Sequence, residues 1–162
     1  MSVLEDALYK ECLALATKSN GHEMRFGGIL KKNDDVIGRG WNRKPKNAPI
    51  VMGYVNHAEI EAVNDALLNS RIVKGSEIYV AGYFVEDGSL YIPKKPTYSC
   101  ARCPTYMKKY EIEGILVPSL QGWVRLNLDE AVKFAGNFKG NSYKKRVAIG
   151  KSELNITDAN LM

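Results

Sequence analysis

Residues 57–85 read HAEIEAVNDALLNSRIVKGSEIYVAGYFV. Two periods follow one another in this stretch. From His57 the apolar positions Ile60, Val63, Leu67 and Leu68 recur at helical spacing, which predicts an amphipathic helix to about Ser70. Then comes EIYVAGYFV, a nearly continuous apolar run of the kind a strand buried on both faces carries. A helix followed by a buried strand is the unit of an α/β sheet, and the rest of the chain is read outward from it.

Upstream, residues 3–17 (VLEDALYKECLALAT) place Leu4, Ala7, Leu8, Cys12 and Leu15 on one helical face, and SNG follows as a stop. RFGGILKKNDDVIGRGW then holds two short apolar runs, Phe26–Leu30 and Val36–Ile37, around the polar KKNDD, which predicts a β-hairpin. Residues 42–56 contain two prolines and no period, so they read as loop. Downstream, EDGSLYIPKKP reads as a turn, a short strand and a proline-rich connection. A helix is expected from Cys100 to about Tyr110, with Pro104 tolerated in its first turn. GILVP is a second buried strand. LNLDEAVKFAGNF predicts a last helix, with Asn127 as N-cap and Asp129 and Glu130 in its first turn. The alternation predicts an α/β fold, a mixed central sheet covered on both faces by helices.

The 162 residues are 45% hydrophobic and 25% charged, enough for one domain with a real core. No run of 18 apolar residues is present, so no membrane partner is expected. MSVLEDALYKE lacks an apolar signal core, and a cytoplasmic location is expected. Three cysteines are an odd number and too few for a disulfide scaffold, which leaves reduced thiols or a metal site. The net charge of +5 and pI of about 9.0 are mildly basic. Residues 139–151 (KGNSYKKRVAIGK) carry Lys139, Lys144, Lys145, Arg146 and Lys151 without an acid, either as a solvated tail or as a phosphate-binding or nucleic-acid-binding one.

His57 is one of two histidines, and Glu59 stands two places on. Further along, PTYSCARC sets Cys100 and Cys103 in a C-x-x-C, a spacing that turns both sulfurs to one side of a helix start. One nitrogen and two thiolates are three of the four ligands that zinc takes, and an open fourth position is the arrangement of a catalytic ion holding water. Zinc brings the pKa of such a water towards neutrality, and a carboxylate beside it can move its proton. Residues at i and i+2 point apart in mid-helix, so His57 and Glu59 converge only if the helix begins there, its end aimed at the metal. Cys12 falls on an apolar stripe and reads as core. A redox C-x-x-C or a structural zinc knuckle would leave Glu59 without a role.

His57-Ala58-Glu59 followed by Pro96 and Cys100-Ala101-Arg102-Cys103 resembles the zinc-dependent cytidine and deoxycytidylate deaminase superfamily. MRFGGILKKNDDVIGRGWNR is similar to the first hairpin of its deoxycytidylate and tRNA adenosine deaminase branch, and the resemblance runs from about Val3 to Ala135. It implies a three-layer α/β/α fold for residues 1–140, with 141–162 as a basic, weakly structured tail. It implies Zn2+ on His57, Cys100 and Cys103, attack of zinc-bound hydroxide at C4 of a cytosine ring, and Glu59 as proton shuttle. Asn42 would then bond the base or sugar, the Ala58 N–H would face the pyrimidine carbonyl, and Phe26 would line the base pocket unless it is simply core. Two features depart from the pattern. Ser99 stands where the family usually has proline, changing the loop that reads the base, and EDGSLYIPKKP is a longer insertion than tRNA adenosine deaminases carry. The second-zinc insertion of some deoxycytidylate deaminases is missing from 43–56.

Three functions remain open at this point. The first is deamination of a cytosine nucleotide or nucleoside, deoxycytidylate or cytidylate foremost, with Arg25 and Lys46 holding a phosphate. The second is deamination of a base in single-stranded DNA or RNA, with Tyr54, Tyr83, Tyr91 and Tyr98 stacking along the strand. The third is a zinc-stabilised binding module without turnover. The family resemblance further implies a homo-oligomer.

Overall fold

The structure, a computed structural model, describes residues 3–19, 22–93, 98, 100–136 and 146–149. A 3₁₀ turn at Val3–Glu5 precedes α1 (Ala7–Ala16), whose N-cap Asp6 accepts the Tyr9 N–H. β1 (Met24–Lys32) and β2 (Asp35–Trp41) form the expected antiparallel hairpin. α2 (Ala58–Leu68) and β3 (Glu77–Glu86) follow, then β4 (Ser89–Pro93), α3 (Cys103–Lys109), β5 (Gly114–Ser119), β6 (Gly122–Asn127), α4 (Leu128–Gly136) and β7 (Arg146–Ile149).

β3 is the hub of the sheet. One edge pairs antiparallel with β1 over most of its length. The other edge is shared: Glu77–Tyr79 run parallel to β5, and Phe84–Glu86 run antiparallel to β4. β5 continues into a hairpin with β6, and β4 pairs with β7. A parallel β3–β5 pair needs a crossover, and the segment holding α3 makes it. Side chains of β3 alternate between two cores. Ile78 and Val80 face α2, α3 and α4, whereas Ala81 and Tyr83 face α1. Helices thus cover both faces, the three-layer α/β/α arrangement expected from the alternation.

The glycine-rich hairpin explains how close the helices come. A Cβ at Gly27 would lie 1.9 Å from the Cys12 carbonyl oxygen of α1, and one at Gly40 would lie 2.3 Å from the Ala62 nitrogen of α2. Both helices therefore rest on strand backbone, and Cys12 is fully buried as a core residue.

Three features differ from the sequence reading. The third helix begins at Cys103, not Cys100, because Pro104 lacks an N–H and is accommodated only in a first turn. Residues 122–127 form β6, hidden because the polar turn before them and the helix after them leave only a short alternation. Trp123 fastens it by packing edge-on against Tyr9 and Tyr79 and donating its indole N–H to Asp6. In the C-terminal segment, residues 146–149 pair with β4 as a strand; the rest of 141–162 lies outside the described residues. Asn127 does cap α4. It accepts the Glu130 N–H at 2.8 Å and donates its own N–H to the Glu130 carboxylate at 3.2 Å. Among the described residues no helix is long and apolar enough to cross a membrane.

Candidate metal centre and catalytic cavity

His57 is the N-cap of α2, in extended conformation, and Glu59 lies in the first helical turn. This is the arrangement that lets an i, i+2 pair serve one point. The helix start is held close to the sheet, since a Cβ at Gly28 would meet the Ala58 carbonyl oxygen at 2.8 Å. Cys103 opens α3, and its N–H donates back to Cys100 Sγ at 3.1 Å across the preceding turn. The two sulfurs are 2.8 Å apart, His57 Nδ1 lies 3.2 Å from Cys103 Sγ, and all three candidate ligand atoms fall within 4.8 Å of one another.

The electrostatics of the trio follow from this proximity. A hydrogen bond from the Cys103 thiol, helped by His57, draws the Cys100 thiol down to about 4. Burial pushes the Cys103 thiol up, and the hydrogen bond to Cys100 adds to it. His57 is raised, chiefly by its hydrogen bond with Cys100. Protons are thus shared among three groups that a soft divalent cation would hold instead. Two sulfurs and an imidazole within reach of one ion are the donor set that suits zinc, so the residues fit the metal.

Glu59 is buried but is not one of the converging ligands. Burial raises its carboxyl above the ordinary range, while the neighbouring His57 pulls the other way. Beside it, Tyr98 is buried with a hydroxyl that has no hydrogen-bond partner. His57, Glu59, Tyr98, Cys100, Phe26 and Asn42 line one cavity of about 420 Å3. It continues to Val3, Tyr9 and Leu120 on the α1 side. The passage lies at the fork where β3 leaves β5 after Tyr79 and meets β4 at Phe84.

The remaining site residues named from sequence occupy different positions. Asn42 lines the cavity, but its side chain also ties the hairpin together. Its Oδ1 accepts from the Phe26 N–H at 2.8 Å and the Ser19 hydroxyl at 2.7 Å, and its Nδ2 donates to the Met24 carbonyl at 3.0 Å. Phe26 faces the cavity opposite Gly82, where any side chain would strike its ring. The Ala58 N–H belongs to the first turn of α2, where amides have no intrahelical acceptor. Ser99 lies outside the described residues. Arg25 does not serve as a surface cation. It alternates with Phe26 onto the α1 face, is 2% exposed, and donates to the His22 carbonyl at 2.8 Å. Of the four tyrosines considered for stacking, Tyr83 and Tyr98 are buried and Tyr91 is half-buried. Tyr54 is 80% exposed, with the Lys44 ammonium 5.5 Å from its ring.

A buried polar network behind His57 escaped the sequence reading. Glu61, 2% exposed, accepts from Asn56 Nδ2 at 2.8 Å and from Arg43 Nε at 3.0 Å. Asn56 and Asn64 both donate to the Ile50 carbonyl and accept from the Met52 and Ile50 N–H groups respectively. The 50–56 loop is thereby fixed immediately before the histidine. Arg102 donates to the Met52 carbonyl at 3.0 Å and fastens the same loop to the C-x-x-C turn. The signal was present: Glu61 and Asn64 sit i, i+3 on the helix that Ile60 and Val63 bury.

The family model described as the cytidine and deoxycytidylate deaminase zinc-binding region matches residues 3–118. Among solved structures, the cytidine deaminase from Burkholderia pseudomallei is 18% identical with a TM-score of 0.54, over 78% of this chain and 94% of that one. It shows the same fold. The dCMP deaminase from the cyanophage S-TIM5 in apo form is 20% identical with a TM-score of 0.46, over 67% of this chain and 77% of that one. No curated protein sequence matches.

Proposed function

The chain belongs to the cytidine and deoxycytidylate deaminase family, and on that premise we propose that it hydrolyses the 4-amino group of a cytosine nucleotide or nucleoside, deoxycytidylate or cytidylate foremost. The observation that carries this reading is the convergence of His57, Cys100 and Cys103, with Glu59 beside the trio but outside it, on one enclosed cavity. His57, Cys100 and Cys103 would hold zinc. When bound, zinc supplies a water acidic enough to act as nucleophile near neutral pH.

The chain's own residues account for the rest. Water adds to C4, the C4–N bond breaks, and the products are a uracil ring and ammonia. Glu59 takes a proton from the water and delivers it to ring N3, and a further proton leaves with the amine. A buried carboxyl with a raised pKa suits that exchange, since it both accepts and releases a proton close to neutrality. Phe26 offers a wall for the ring, and the Ala58 N–H faces a carbonyl acceptor. Asn42 has one amide hydrogen beyond the bond to Met24, which supports a contact to base or sugar. With Arg25 on the other face, the cations suited to a phosphate are the exposed Lys44 and Lys46 of the loop before His57.

The single-strand reading is favoured by one observation, the exposed Tyr54 under Lys44. One panel separates the readings: cytosine, cytidine, CMP, dCMP, adenosine, guanine and short oligonucleotides, assayed for ammonia. Release from CMP or dCMP above cytidine supports the nucleotide reading. Release only from oligonucleotides, with salt-sensitive binding, replaces it. Bound zinc with no ammonia from any compound leaves a binding module.

A further inference from the structure

Two buried tyrosine hydroxyls have no hydrogen-bond partner among the described residues, those of Tyr83 and Tyr98. A buried hydroxyl without a partner is costly, and native proteins leave few. The two have different surroundings. Tyr83 lies on the α1 face, opposite Arg25 in the β1–β3 register, and does not line the cavity. Tyr98 is 4% exposed and lines the cavity with Glu59, His57 and Cys100. Its charged neighbours are Glu59, Cys100 and Cys103, all acceptors, and together with burial they keep its proton on the oxygen. The hydroxyl is therefore a donor. It stands two residues before Cys100, so a metal ligand anchors the backbone that carries it.

What the hydroxyl lacks is an acceptor that arrives with the substrate. As water adds to C4, electron density gathers on ring N3 and on the new oxygen at C4. Both are lone-pair acceptors at the end of the ring that Glu59 serves. A neutral donor fixed there, in a water-poor cavity, stabilises that density as it develops. We propose that the Tyr98 hydroxyl is a catalytic hydrogen-bond donor to the reacting end of the cytosine ring, acting alongside Glu59. The proposal rests on the deaminase reading above. A contact that strengthens in the transition state lowers kcat more than it changes KM when it is removed.

The test compares Tyr98→Phe with Tyr83→Phe in the zinc-loaded, full-length protein, on the best substrate of the panel. Tyr98→Phe should keep stoichiometric zinc and melt at or above the wild-type temperature, because it removes a buried unpaired group. Its kcat should fall by roughly 10–100-fold, with KM within about threefold. Tyr83→Phe should leave kcat unchanged. In a Glu59→Gln background, calorimetry should show that adding Tyr98→Phe changes substrate Kd by less than about threefold. The proposal is overturned by a Tyr98→Phe kcat within about threefold of wild type, by an equal fall in Tyr83→Phe, by loss of zinc, or by a tenfold weaker Kd. Failure of the underlying reading looks different: the wild type itself would release no ammonia from any compound, and the Tyr98 proposal would fall with it.

Discussion

Replacing Glu61 tests whether the buried network behind His57 builds the metal centre. Glu61→Ala removes the acceptor of one Asn56 amide hydrogen, whose partner distance is 2.8 Å, in a residue with no solvent exposure. An orphaned buried donor of this kind costs about 1–3 kcal/mol. The Arg43–Glu61 ion pair adds less than its 3.0 Å length suggests, because the Arg43 side chain is 45% exposed, and about 0–1 kcal/mol is its proper weight. The sum is roughly 1–4 kcal/mol. At about 2–4 °C per kcal/mol for a chain of this size, the melting temperature should fall by several degrees and by no more than about 16 °C. Asn56 immediately precedes His57, so its loosened side chain should also cost zinc affinity about 10–100-fold, the usual weight of a group that orients a ligand. Glu61→Gln keeps an acceptor for Asn56 and should lose much less of both. Scanning calorimetry and competition with a metallochromic chelator read the two quantities. A Glu61→Ala protein that melts within 1 °C of wild type and keeps its zinc affinity would refute the reasoning.

The other predictions concern the site itself. Glu59→Gln should keep zinc and fold but lose about 10²–10⁴-fold in turnover, measured as ammonia release, and loss of zinc in that variant would make Glu59 a ligand. Cys103→Ala should lose zinc and melting temperature together, because site assembly is coupled to folding, and elemental analysis showing full zinc would remove Cys103 from the set. Asn42→Ala should weaken substrate recognition and also lower stability, by about 1–3 kcal/mol for the unpaired Phe26 N–H and Ser19 hydroxyl. Unchanged kinetics with lowered stability would assign Asn42 to the hairpin alone.

The parts of this molecule legible in the sequence are those where one residue type meets one local requirement. The helix from His57 and the strand from Glu77 announce themselves by period, and the metal trio by spacing. Asn127 announces α4 because a capping box needs only neighbours. The parts that stayed hidden depend on partners distant in sequence. β6 exists because Trp123 finds Tyr9, Tyr79 and Asp6. Arg25 reads as a free cation until strand alternation turns it into the α1 core. Glu61 reads as a surface acid until Asn56 and Arg43 come to it across a loop.

Tyr98 shows why this division matters for function. In sequence it is one more aromatic beside a cysteine, suited to stacking on a strand. In the fold its ring is enclosed and its hydroxyl stands unpaired next to Glu59. Side chains spent on the fold, such as Asn56 and Glu61, have their hydrogen bonds complete within the protein, and the fold alone accounts for them. A group kept for a substrate must leave a bond unmade until the substrate arrives, and the protein tolerates the cost in its empty state. The unmade bond is thus the feature that distinguishes a working residue from a packed one here, and it becomes visible only when every neighbour of the side chain is known.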